Sequence, residues 1–231
     1  MFIVNDGTQN FFTRAGNFTT DAAGNLVTSA GYSVMGWQAD ANGNIQRATV
    51  SPLAIYSSEN KYATPTQTTK TTITGNINKN DESFSSAAGT ISTNVSFYDN
   101  LGYEYRATLS IKQDAADPYS YNITCTGMAC NGKDMGLAEA DLQAVLNNYN
   151  IKFKDADGSL DTGNPMTLTV TGLGNSFDQD ITVDISQITC FGKDTSLVPK
   201  KGDAGGQDAG LAAGKMTTVS IQTDGKIIAG Y

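Results

Sequence analysis

The chain has 231 residues, enough for one large domain or two small ones with a buried core. Its formal net charge of −8 argues against a nucleic-acid-binding surface. No apolar run approaches the length that crosses a bilayer, and the start has no signal-peptide pattern, so the sequence predicts no membrane partner. Only 16% of the residues are charged, and Thr, Ser, Asn and Gly are frequent, which is typical of short strands joined by turns.

The first 55 residues predict only strands and turns. From Phe11 to Trp37, aromatic and β-branched residues alternate with glycines at intervals too short for an ordinary helix. Gly16, Gly24 and Gly31 are the expected turn positions, because glycine adopts positive φ at little cost. Asn42-Gly43 predicts a further turn between two extended segments.

The polar stretch 56–72 indicates an extended connection, and 61–72 is its expected linker. Beyond it, apolar residues alternate over 91–97 and again over 103–111, with Asp99-Asn100-Leu101-Gly102 as the turn. This pattern predicts a β-hairpin with one apolar face.

A single helix is predicted from Leu137 to Tyr149, because apolar residues recur there at three- and four-residue spacing. Asp134 is a possible cap. Strands are expected at 166–170 and 181–185, whereas 194–214, rich in charge and glycine, is expected to be loose. Asp224-Gly225 between β-branched segments predicts a final hairpin.

The sequence offers no reactive constellation. It has no histidine, which excludes Ser-His-Asp and Cys-His catalysis and the common zinc sites. The best metal candidate is the run Asp155, Asp157, Ser159, Asp161, but an EF-hand loop would need glycine where Leu160 stands and glutamate where Met166 stands. We therefore predict no catalytic, cofactor-binding or metal-binding residues, no cofactor, and no enzyme activity.

Two sets of side chains leave alternatives open. Cys125 and Cys130 could form a local disulfide, although the interpretation that they and Cys190 are buried free thiols is favoured. Five tyrosines could form a sugar-stacking patch, although cross-strand packing is favoured. They are Tyr98, Tyr103, Tyr105, Tyr119 and Tyr121.

The order of residues near the N-terminus resembles the opening of the exposed domain of bacterial flagellar rod and hook proteins. It reads FTRAGNF from Phe12, then Asp21, GNLV from Gly24 and GYSVMGW from Gly31. Two further stretches are similar to hook members of that family: TGNIN from Thr74 and VSFYDNLG from Val95. Residues 207–231 resemble the return into the first domain, while 122–174 match only in patches.

The resemblance implies a mainly β fold with two β-rich domains, one inserted into the other, and one short helix in the inserted one. The expected bounds are 1–60 with 190–231 for the inner domain, 61–72 for the linker and 73–189 for the outer domain, with a return crossing near 186–193. The resemblance also implies a central fragment that lacks the family's terminal helices. The segments before Ile55 and after Val219 are expected to share one domain.

The implied function is mechanical. The resemblance predicts a structural subunit of the flagellar hook, which polymerises with itself into a curved, flexible tube and transmits motor torque to the filament as a universal joint. Expected partners are the rod, hook–filament junction and hook cap proteins, with export to the cell exterior by the flagellar type III system. The fragment alone is expected to be monomeric. The alternatives are a rod-type axial protein with an insertion and a secreted carbohydrate-binding or carbohydrate-degrading β protein.

A further possibility is a crosslink between subunits. Some hook proteins resemble self-modifying polymers in which a cysteine loses its sulfur and a lysine of a neighbouring subunit adds to the product. One of the three cysteines could take that part, but no residues here match such a pattern.

Overall fold

The computed structural model describes residues 1–40, 44–86, 88–174 and 176–231. Within these ranges the chain is mainly β, with one α-helix, as the sequence predicts. The expected Asn42-Gly43 turn lies outside the described residues.

The chain divides into two compact units. The discontinuous unit comprises Met1–Ala63 and Gly214–Tyr231, and the inserted unit comprises Thr64–Ala213. The segments before Ile55 and after Val219 therefore belong to one unit that excludes the 91–123 region.

Strands of the discontinuous unit are β1 (Phe2–Asn5), β2 (Asn10–Thr13), β3 (Thr19–Thr20), β4 (Leu26–Val27), β5 (Ser33–Gly36), β6 (Ser51–Pro52), β18 (Thr218–Ile221) and β19 (Ile227–Gly230). The first six form one sheet in the order β2-β1-β5-β4-β3, with β6 also paired to β5. β18 and β19 form a separate two-stranded sheet, closed by the predicted turn with Gly225 at φ +85°.

Elements of the inserted unit are β7 (Lys70–Asn76), β8 (Ile91–Tyr98), β9 (Glu104–Gln113), β10 (Ser120–Cys130), β11 (Lys133–Asp134), α1 (Glu139–Val145), β12 (Tyr149–Phe153), β13 (Leu160–Thr162), β14 (Met166–Leu168), β15 (Ile181–Asp184), β16 (Ile188–Thr189) and β17 (Ser196–Lys201). One sheet runs β13-β12-β10-β9-β8, with β11 on β10. A second runs β14-β15-β7-β16, with β17 on β7.

The core of the inserted unit is one large cluster. The predicted hairpin β8–β9 places alternate residues inside it, among them Val95, Phe97 and Leu109, each at most 1% exposed. The Phe97 ring stacks on Tyr105 with centroids 5.9 Å apart and meets Phe177 edge-on at 6.0 Å. Such aromatic contacts add to the area that these rings bury.

The unit boundaries differ from the expected ones. The return crossing lies at 213/214 rather than near 190, because β17 in the supposedly loose stretch pairs antiparallel with β7 from Ser196 opposite Asn76 to Lys201 opposite Thr71. Part of the expected linker is also buried: Thr68 is 0% exposed, and its hydroxyl donates to the Ala209 carbonyl at 2.7 Å. Polar composition predicted an extended connection between domains, but hydroxyl groups can be buried within a unit when they find hydrogen-bond partners.

The helix is shorter than the sequence predicts. It ends at Val145, because Tyr149–Phe153 instead forms β12, which pairs with β10 from Tyr149 opposite Ile123 to Lys152 opposite Ser120. Its N-cap is Ala138, with no side-chain capping bond, whereas Asp134 lies in β11.

Candidate functional site

Of the residues weighed as a calcium site, Asp155, Asp157 and Ser159 lie in a surface turn between β12 and β13, and Asp161 lies in β13. Asp157 accepts hydrogen bonds from the Ser159 amide at 2.9 Å and the Ser159 hydroxyl at 2.6 Å, and these bonds lower the pKa of the Asp157 carboxyl. In the ranges that the structure describes, no three acidic or cysteine side chains are grouped as metal ligands. The geometry is that of a self-satisfied Asx turn.

The three cysteines are free thiols. Cys125 and Cys190 are buried, whereas Cys130 is half-buried. Burial raises the pKa of the Cys125 thiol, which makes it a poor nucleophile. The Cys190 sulfur lies 3.7 Å from the Tyr121 hydroxyl, and burial raises the pKa of that tyrosine.

The five tyrosines do not form one patch. Tyr121 is 1% exposed in the core, and Tyr105 stacks on Phe97 there. Tyr119 and Tyr98 each carry a lysine over the ring: Lys79 at 4.3 Å and Lys201 at 3.8 Å from the respective centroids. Tyr105 and Tyr121 therefore serve core packing, whereas Tyr103 is 48% exposed.

The chain passes between the units twice, and hydrogen bonds join the two strands of this passage. On the side of the discontinuous unit, the Ala63 amide donates to the Gly214 carbonyl at 2.8 Å. On the side of the inserted unit, Thr66 and Leu211 exchange backbone hydrogen bonds of 3.1 and 2.9 Å. The inserted unit is thus held by two adjacent, antiparallel chain segments.

Charge is divided unequally between the units. The discontinuous unit carries five acidic residues, Asp6, Asp21, Asp40, Glu59 and Asp224, and five basic residues, Arg14, Arg47, Lys61, Lys215 and Lys226. The inserted unit holds the other 18 acidic and 10 basic residues, and hence the whole net charge of −8. The discontinuous unit is therefore neutral overall.

Exposed large apolar side chains are more numerous in the neutral, discontinuous unit than in the acidic, inserted unit. Among the described residues, twelve exposed large hydrophobic residues belong to the discontinuous unit and five to the inserted unit, although the inserted unit is longer. The twelve are Met1, Phe2, Phe11, Phe12, Tyr32, Trp37, Ile45, Tyr56, Tyr62, Ile221, Ile228 and Tyr231. Exposed apolar side chains mark interaction sites where they adjoin one another in a patch, rather than where they are scattered singly. None of the helices in the described ranges is long and apolar enough to cross a bilayer.

Comparison with protein-family models agrees with this two-unit organisation. Residues 1–79 match the family described as the flagellar hook protein FlgE/F/G D1 domain. Residues 68–203, more than half of the chain, match the family described as the flagellar basal body protein FlaE D2 domain. The chain belongs to the flagellar hook protein family. It is therefore a structural subunit of the flagellar hook, in a family whose members polymerise into that structure.

A solved structure is similar to this hook protein in fold. The Helicobacter pylori flagellar hook protein FlgE2 is 13% identical, with a TM-score of 0.54, over 99% of this chain and 85% of that one. A search of curated proteins found no match.

Sequence reasoning missed the two features that distinguish the units. The charge division is already legible with the expected bounds: residues 1–60 with 190–231 hold eight acidic and seven basic residues, and residues 73–189 hold 15 acidic and six basic residues. Which exposed apolar residues lie side by side depends on strand register, and two-residue strands such as β4 and β6 carry almost no local signal.

Proposed function

We propose that this hook protein polymerises into a curved tube that acts as a universal joint, passing motor torque to the filament while exported proteins cross its channel. In this role the chain contacts other copies of itself along the tube and meets the rod, hook cap and hook–filament junction proteins at its ends. The flagellar type III system exports it to the cell exterior.

The observation that carries the proposal is the tether between the units. The inserted unit has its own core and joins the discontinuous unit through two adjacent segments, at 63/64 and 213/214. Units connected in this way retain relative freedom by default. A bent tube requires such freedom, because subunit spacing differs between the inside and the outside of the bend.

A mechanical subunit needs no reactive site, and we propose that the chain has no enzyme activity and needs no metal or cofactor. The sequence contains no histidine, and the Asp157 carboxylate in the acidic run 155–161 accepts two hydrogen bonds from Ser159. Calorimetry should show no saturable calcium binding. Tight binding accompanied by a large rise in melting temperature would contradict the proposal.

The direct test is electron microscopy of the full-length protein after polymerisation. Curved tubes whose curvature varies are the expected result. Straight, stiff tubes would favour the rod-type alternative, and the absence of any polymer together with sugar binding would favour the carbohydrate-binding alternative.

We also propose that residues 1–231 alone are monomeric at micromolar concentration. Assembly in this family is expected to depend largely on the terminal helices, and the charge of −8 disfavours casual association. Light scattering that showed a stable dimer would contradict this.

A further inference from the structure

An uncharged apolar row crosses four strands of the discontinuous unit. Ile3 lies opposite Phe12 on one side and opposite Met35 on the other, and Met35 lies opposite Pro52. Directly opposed residues of antiparallel strands project to the same face, so the four side chains stand next to one another. We call Phe12, Ile3, Met35 and Pro52 the apolar row.

The unit does not use this row for its own core. Val4 and Val34, one residue along β1 and β5, project to the opposite face and are 4% and 2% exposed. In the apolar row, by contrast, Phe12 is 67% exposed, Pro52 is exposed, and Ile3 and Met35 are half-buried. The buried face and the apolar row thus lie on opposite sides of one sheet.

The corresponding face of the inserted unit is polar. In the hairpin β8–β9, the pairs that alternate with the core residues are Ser92 with Ser110, Asn94 with Thr108, and Ser96 with Arg106. The Thr108 hydroxyl donates to the Asn94 side-chain oxygen at 2.9 Å. Polar side chains such as these can hydrogen-bond to one another or to solvent, whereas removing the apolar row from water would be favourable.

We propose that the apolar row is a contact with a second copy of this chain. This inference rests on the proposed polymer and names the part of the subunit surface that packs within it. The charge balance fits this occupant: the discontinuous unit has five acidic and five basic residues, so two such units meet without net repulsion. Two inserted units, each with net charge −8, repel one another instead.

The size of the row fits a contact that forms only within a polymer. Four side chains cover far less than the roughly 800 Å² per partner of a stable binary complex. A single such contact leaves the isolated chain monomeric, but in a tube each subunit makes several contacts at once, and their effects multiply.

The first test places the photoreactive amino acid p-benzoylphenylalanine at position 12 of the full-length protein, followed by irradiation of assembled tubes. The expected product is a covalent dimer, with the crosslink mapping by mass spectrometry to the discontinuous unit of the second copy. Crosslinks only to the inserted unit, only to a different protein or to lipid would overturn the inference.

The second test compares Phe12→Ser with the matched control Leu101→Ser. Leu101 is similarly exposed, at 62%, but lies in the inserted unit. Phe12→Ser should raise the critical concentration for polymerisation by about ten-fold, whereas Leu101→Ser should leave it unchanged. Trp37 fluorescence, which reports the discontinuous unit, verifies that the Phe12→Ser protein is folded.

The outcomes separate this inference from the proposed function. Wild-type protein that forms no tube contradicts the proposed function itself. Wild-type tubes together with an unchanged critical concentration for folded Phe12→Ser overturn the apolar row as a contact, while the proposed function stands.

Discussion

The inserted unit buries 24 hydrophobic residues in one cluster, whereas the described part of the discontinuous unit buries three: Val4, Val27 and Val34. The same discontinuous unit exposes most of the large apolar side chains and carries no net charge. The inserted unit therefore has a core of the kind found in an independent domain, whereas the discontinuous unit leaves more of its large apolar side chains exposed.

This difference indicates that the two units depend to different extents on their own buried surface for stability. Each Å² of buried apolar area stabilises a fold by roughly 25 cal/mol. The inserted unit, which has the larger core, therefore holds most of the stabilising buried surface of this chain. The discontinuous unit, which buries only Val4, Val27 and Val34 among its described residues, has less stabilising surface of its own. Substitutions that act on one unit and spare the other test this division.

The largest effect is expected for Phe97→Ala, at the centre of the inserted unit. Phe97 is 0% exposed, and its loss should lower the free energy of unfolding by about 3–5 kcal/mol. Circular dichroism in guanidinium chloride would report the inserted unit mainly, whereas fluorescence of Trp37, the single tryptophan, reports the discontinuous unit. Only the first transition should shift.

Phe191→Ala is the control for this substitution, because Phe191 is 47% exposed in the same unit. It should change the free energy of unfolding by less than about 1 kcal/mol. If Phe97→Ala shifted both transitions equally, the two units would unfold as one body, and the comparison would fail.

The next effect is expected in the discontinuous unit, for Gly24→Ala. Gly24 has φ +85°, and an added Cβ would collide with the backbone of Tyr56. Gly31 is a matched control: its φ is +83°, but nothing lies within 4 Å of an added Cβ. Gly31→Ala should cost about 1–2 kcal/mol from backbone strain alone, and Gly24→Ala should cost more than that.

The Trp37 transition measures both glycine variants. Equal shifts for Gly24→Ala and Gly31→Ala would mean that the collision of the added Cβ with the backbone of Tyr56 costs no stability, which would contradict the prediction.

A smaller effect is expected for Glu104→Gln, within the inserted unit. Glu104 accepts from the Lys201 ammonium at 2.8 Å, and both side chains are partly exposed. The substitution should cost about 0.2–1 kcal/mol at low salt and less at 1 M salt. A loss that is independent of salt would show that the pair acts through shape rather than charge.

The smallest effect is expected for Asp117→Asn, and it depends on pH. The Lys152 ammonium, the Tyr119 amide and the Ser120 hydroxyl bind the Asp117 carboxylate and lower its pKa to about 2. Because the folded pKa lies below the unfolded value of about 3.9, the carboxylate stabilises the fold above that value. This stabilisation is lost as pH falls toward about 2.

Chemical denaturation of the wild type and Asp117→Asn at pH 7, 5 and 3 measures this dependence. The wild type should be the more stable protein at pH 7 and 5, with a smaller difference at pH 3. A difference that grew as pH fell would reverse the sign and contradict the assignment.

The sequence by itself determined the elements whose signal is local. The hairpin β8–β9 follows from strict alternation over 91–97 and 103–111, and the hairpin β18–β19 follows from Asp224-Gly225 between β-branched residues. The family signature near the N-terminus is also local, since it is an order of residues. Composition also needs no tertiary structure: the absence of histidine was enough to exclude the common catalytic triads.

Only the tertiary structure decided the features that depend on distant partners. β17 contains Pro199 and two lysines and resembles a loop until it pairs with β7, more than 100 residues earlier. Thr72 is polar by composition, but it is buried because its hydroxyl reaches the Gly202 carbonyl at 2.9 Å. The apolar row exists because strand register aligns Phe12, Ile3, Met35 and Pro52. Register is a relation between strands, and a single segment does not contain it.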